Sequence, residues 1–210
     1  MTRIAIMDAE GTGLPFLANR GLFHPVEVAA VVLDTDAMDV NLAEPFHILI
    51  KPPNMRILEH PDTQEGLYLS GTTLVEEVRA YGAPVPVAAG AWETWCARHH
   101  VNCVAAYNFG YDRKLCPWIS QPWVRCLMHW GRTLVEVNDP EYSGLYRPGK
   151  GIKMPSVEEM ALWLRTRGFN IPRAFPSHRA LPDARREALM MLCYLMLDPN
   201  GLRLSPVNFK

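Results

Sequence analysis

Residues 3–14, RIAIMDAEGTGL, decide how this chain is read. The run from Arg3 to Asp8 is apolar almost throughout, as expected of a central strand buried on both faces. It closes on Asp8-Ala9-Glu10. Side chains alternate along a strand, so Asp8 and Glu10 point to one face and Ala9 to the other. Two carboxylates on one face can share one cation, and hard carboxylate oxygens suit Mg²⁺ or Mn²⁺. The same D-x-E spacing recurs at Asp139-Pro140-Glu141, but inside a Pro/Gly-rich segment with no strand to orient it. Position at the end of a core strand, rather than spacing, therefore singles out the first pair.

Working outward, VEVAAVVLD (26–34) is rich in β-branched residues and reads as a second strand. FHILIK (46–51) alternates Phe46, Ile48 and Ile50 and reads as a third, more peripheral one. AWETWCARHH (91–100) is helical, and VNCVAA (101–106) and VRCLMHW (124–130) read as a fourth and a fifth strand. SVEEMALWLRTRG (156–168) predicts a helix with Ser156 as N-cap, Glu159 completing a capping box and Gly168 as the stop. PDARREALMMLCYLML (182–197) predicts another, with Pro182 in the first turn. Residues 11–25 and 136–155 read as loops, the second carrying Tyr142, Tyr146 and Arg147 as contact candidates. Early strands followed by alternating helix and strand imply an α/β fold with a mixed sheet flanked by helices.

Composition narrows the function classes. A length of 210 residues fits one domain, 1–210, with a full core. An apolar share of 49% against 20% charged is ordinary for a globular chain, and no stretch is long and apolar enough to span a bilayer. The opening MTRIAIMDAEG meets an acid at Asp8 and lacks the apolar core of a leader, so a cytoplasmic location is expected. Five cysteines with no C-x-x-C pair argue against a disulfide framework and a structural zinc, and read as small buried hydrophobes. A net charge of −1 excludes a polycationic nucleic-acid coat, though not a nuclease that grips a strand end through metal ions.

Three more residues complete a constellation. Asp112 follows a strand and the turn Asn108-Phe109-Gly110-Tyr111, at the start of a short helix that Pro117 disturbs; by itself it reads as a helix cap. His178 and Asp183 form H-x-x-x-x-D, a spacing that no other histidine of the chain makes with an aspartate. Asp183 falls in the first turn of an apolar helix, where the helix dipole also favours an acid. A neutral imidazole just before that helix can take a proton from an attacking water. Four carboxylates and one histidine are what two divalent cations and an activated water require, which is the chemistry of phosphodiester hydrolysis.

On these residues the chain resembles the DEDDh-type 3′→5′ exonucleases, the proofreading-exonuclease and RNase T superfamily. D-A-E-G-T-G-L is similar to the family's D-x-E-T-T-G-L, with Gly11 where a threonine is common. Y-N-F-G-Y-D is similar to H-N-x-x-F-D, keeping Asn108 and Asp112, and H-R-A-L-P-D-A-R matches the third motif closely. The resemblance covers roughly residues 3–197. It implies a ribonuclease-H-like mixed five-stranded sheet, first three strands antiparallel, and two Mg²⁺ or Mn²⁺ ions on Asp8, Glu10, Asp112 and Asp183, with His178 as general base. Thr12 and Leu14 would line the pocket of the 3′-terminal nucleotide, Leu14 as an apolar wedge. By the same match Asn108 would touch the strand, while Tyr146 and Arg147 are expected to hold it upstream from the aromatic and cationic make-up of the 136–155 segment alone. The expected substrate is single-stranded DNA with a free 3′ end, releasing nucleoside 5′-monophosphates. RNA trimming or oligoribonucleotide degradation is the alternative within enzymology, and a silent nucleic-acid-binding or polymerase-associated module the alternative outside it. Nothing in the sequence supports a polymerase partner or a membrane.

Overall fold

A computed structural model of the chain describes residues 2–14, 18, 20–63, 72–173 and 179–202. Its centre is the strand read first. β1 (Arg3–Gly11) pairs antiparallel with β2 (Pro25–Asp34), which pairs antiparallel with β3 (Asp39–Leu49). On its other side β1 runs parallel to β4 (Cys103–Ala106), and β4 parallel to β5 (Trp123–Cys126). The sheet order is β3-β2-β1-β4-β5, a mixed sheet whose first three strands are antiparallel.

The strand period sorts the core into two layers. Ile4 and Ile6 of β1 and Val31 and Leu33 of β2 face α4 (Leu127–Asn138), α5 (Val157–Thr166) and α6 (Ala180–Leu197). Ala5, Met7 and Ala9 face the opposite way, toward α2 (Val85–His99) and α3 (Phe109–Leu115). Each fully buried Ile, Met or Trp contributes about 1.5–3 kcal/mol by leaving water, so both faces are held firmly. α6 lies across β2, β1 and β3. Among the described residues, no helix is long and apolar enough to cross a membrane.

Several boundaries differ from the sequence reading. β1 continues to Gly11, which carries Glu10 inside the strand, opposite Glu27. β3 starts at Asp39, and its outer half, on the sheet edge, has too many exposed polar positions to show alternation. The stretch 124–130 is half strand: β5 ends at Cys126 and α4 begins at Leu127. Leu127, Trp130, Gly131, Leu134 and Val135 are buried at helical spacing, which wins over strand propensity. A helix the sequence did not announce, α1 (Thr72–Tyr81), precedes α2, and α2 starts at Val85 rather than at residue 91. The segment 136–155 is not wholly loop. Tyr146–Arg147 (β6) and Gly151–Ile152 (β7) pair as a short hairpin. Ser156 and Glu159 make the expected capping box, and Gly168 stands at φ +85°, where glycine is favoured. The five cysteines are free and buried.

Candidate active site

β1 presents Asp8 and Glu10 on the face that α6 covers, and Asp183 lies in the first turn of α6. Each of these three carboxylates offers an oxygen within 4.8 Å of the others'. Asp112, in the first turn of α3, reaches the same place from the end of β4 and is buried. Its carboxylate receives the backbone N–H of Ala9, between Asp8 and Glu10 of β1. It does not cap its helix: Asn108 is the N-cap residue, and no side chain bonds there.

The electrostatics are those of acids crowded out of water. Burial, then repulsion from Glu187, Glu10, Asp112 and Asp183, holds Asp8 well above the ordinary carboxylate range. Burial pushes Asp112 up to about 8, against the pull of two backbone N–H groups. Such a cluster is short of positive charge and built of hard oxygens, which is the donor set that Mg²⁺ or Mn²⁺ takes. Within it, Oδ1 of Asp183 accepts a 2.8 Å bond from buried Arg186, which also bonds Glu158.

The remaining expected residues fare differently. His178 lies outside the described residues. Leu14 is 59% exposed, so it is not core packing. Thr12, expected to line the pocket of the terminal nucleotide, is buried; its hydroxyl donates to the Leu22 carbonyl and accepts the His24 N–H at 2.9 Å. Asn108 is exposed at the mouth of α3, and Tyr146 and Arg147 are exposed on the hairpin. Tyr107, where the family pattern has histidine, is buried and donates to the Pro155 carbonyl at 3.0 Å. Tyr111 donates to the Gly13 carbonyl at 3.1 Å. Gly11 has a steric cause: a Cβ there would stand 2.7 Å from the Tyr111 hydroxyl and 2.9 Å from a Leu115 methyl. The decoy Asp139 ends α4 and faces Arg167 at 3.5 Å.

Two acids went unread in the sequence. Glu187, buried one turn after Asp183, accepts the Tyr107 N–H at 3.1 Å. Burial, then the charges of Asp112 and Asp183, raises it well above its usual range. Its i+4 spacing from Asp183 was the available signal. Glu27 is a buried charge inside the apolar run of β2, which is costly unless paired and so worth notice.

No family model and no curated protein matches the chain by sequence. Solved structures do match. Escherichia coli exonuclease I in complex with a dT13 oligonucleotide superposes with a TM-score of 0.64 at 16% identity, over 95% of this chain and 42% of that one. Exonuclease X in complex with 5′ overhanging duplex DNA gives 0.57 at 20% identity, over 97% of both chains. The fold is that of the ribonuclease-H-like exonucleases. A 3′-exonuclease that recognises the histone mRNA stem-loop also shares it, with a TM-score of 0.63 at 14% identity over 96% of this chain and 84% of that one. The chain spans less than half the length of exonuclease I and nearly all of exonuclease X.

Proposed function

We propose that this chain, as one domain spanning residues 1–210, is a metal-dependent 3′→5′ exonuclease that shortens single-stranded DNA to nucleoside 5′-monophosphates. The observation that carries the reading is the meeting of Asp8, Glu10 and Asp183 within 4.8 Å, from two elements at opposite ends of the sequence. Asp112 arrives beside them from a third. Asp8, Glu10, Asp112 and Asp183 would hold two Mg²⁺ or Mn²⁺ ions. Bound there, the ions supply charge stabilisation to the attacking and leaving oxygens of the phosphodiester.

The chain's own residues do the rest. His178 takes the proton of the attacking water. Leu14, apolar and exposed just past the end of β1, packs on the terminal base. Asn108 contacts the strand near the cleaved bond, and Tyr146 and Arg147 hold it upstream by stacking and charge. The solved relatives in complex with an oligonucleotide and with overhanging duplex DNA favour DNA. The relative that recognises the histone mRNA stem-loop supports RNA as the second reading.

The test is incubation with 5′-labelled DNA and RNA strands of equal sequence, with Mg²⁺, Mn²⁺ or chelator. A ladder shortening from the 3′ end, faster on DNA and absent in chelator, is expected. Cleavage of a closed circular strand, or equal rates in chelator, would refute the proposal; faster shortening of RNA would select the second reading.

A further inference from the structure

We propose that Glu27 and Arg179 form a clamp that positions Asp183 against Glu10, making Glu27 a positioning residue of the metal centre. The inference rests on the exonuclease reading above. Glu27 sits on β2 directly opposite Glu10 and is 1% exposed at its side chain. It bonds four groups. Arg179 Nε donates to both its oxygens, at 3.1 and 2.9 Å, and Arg179 Nη2 adds a third bond at 3.0 Å. The Ala180 N–H donates to Oε2 at 3.2 Å, and His47 Nε2 lies 2.7 Å from Oε1. Arg179 is tied down further by Glu77 of α1, at 2.8 Å. Burial alone would raise Glu27; His47, Arg179 and the Ala180 N–H outweigh it and hold the carboxyl below its ordinary value.

The clamp ends at the ligand turn. Arg179 is the N-cap residue of α6, with no side-chain cap of its own, and Ala180 is the first helical residue. Glu27 therefore satisfies an orphan N–H of α6 from across the sheet. The Arg179 carbonyl accepts the Asp183 N–H at 3.2 Å. One strand pair and two backbone bonds thus connect the carboxylate of β1 to the carboxylate of α6. Apolar side chains of the same volume would join sheet and helix as well or better, because a buried ion pair stabilises little. They would not fix the direction and register of the first turn. A forked guanidinium on a carboxylate does.

The experiment uses the full chain. Glu27→Gln keeps the shape and loses the charge; Arg179→Lys keeps the charge and loses the fork. Mn²⁺ affinity is measured by calorimetry, kcat and KM on a 5′-labelled single strand at rising Mn²⁺, and melting temperature alongside. Supporting partners of metal ligands are typically worth 10–100-fold in affinity. Folded variants should therefore bind Mn²⁺ about 10–100-fold more weakly, lose kcat at limiting Mn²⁺, recover it at excess Mn²⁺, and keep KM for the strand. The double variant should add little to either single one. A lower melting temperature with wild-type Mn²⁺ affinity would overturn the clamp as a positioning device. Arg179→Lys decides the matter if Glu27→Gln does not fold. A wild-type chain that neither binds Mn²⁺ nor shortens a strand would sink the exonuclease reading and this inference together.

Discussion

At the scale of single residues, chemically identical groups are set apart by what surrounds them. Asp8 and Asp139 both open a D-x-E, yet Asp8 stands among four other acids and Asp139 faces an arginine in a turn. Asp8→Asn should cost more than about a hundredfold in rate, the size of effect expected when several kcal/mol of charge stabilisation are lost. Asp139→Asn should be nearly silent in the same strand-shortening assay; equal losses would refute the assignment of the motif. His178 is proposed to move a proton only. His178→Ala should keep Mn²⁺ affinity by calorimetry while kcat falls by about 10²–10⁴. Gly11→Thr would install the residue common in the resembling family, but its Cβ meets Tyr111 and Leu115. It should destabilise by about 1–3 kcal/mol in urea melts, and combined with Leu115→Ala the cost should be smaller than the sum of the two single costs, because the shorter side chain makes room for the new Cβ. A neutral Gly11→Thr would mean that the two neighbours give way freely.

At the scale of elements, what the sequence disclosed tracks how strongly each element's period is expressed. β1 and β2 are buried on both faces and read correctly from their apolar runs. So did α5, from its capping box and apolar face, and α6, from its first-turn proline and apolar run. β5 was overextended because Trp123–Cys126 passes into α4 with no turn residue between them. The hairpin of residues 146–152 and α1 were missed because two-residue strands and a half-polar helix carry little periodicity. That Asp8, Glu10 and Asp183 come together was legible, because a strand's alternation and a first helical turn are local signals, whereas Asp112 needed the motif Y-N-F-G-Y-D to stand out from a helix cap. Glu187 and the Glu27–Arg179 pair were not. Their meaning lies in contacts that span 80 and 152 positions, for which periodicity has no register. A motif gives the place of Thr12, while its bonds to Leu22 and His24 come from contacts the motif does not record.

At the scale of the whole molecule, the clustered acids of β1, α3 and α6 set a pH dependence. Asp8, Asp112 and Glu187 are raised in the folded chain, Asp112 to about 8, above about 3.9–4.3 for the same groups unfolded. The folded state then binds more protons, so this contribution is full below pH ~4 and is lost as pH rises toward 8. Glu27, lowered, contributes with the opposite sign and weakens folding only in acid. In chelator the melting temperature should therefore fall between pH 5 and 8, and added Mn²⁺ should restore it most at the alkaline end. A flat profile, or Mn²⁺ stabilising most at pH 5, would refute the clustered-acid account. The sheet order has one more consequence. Asp8 and Glu10 of β1 lie far in sequence from Asp183 of α6, so a long loop must close before the three carboxylates meet. Closing so long a loop carries an entropic cost, and contacts of such separation slow folding. During refolding, then, the cluster of Asp8, Glu10 and Asp183 comes into being only as α6 docks on β1.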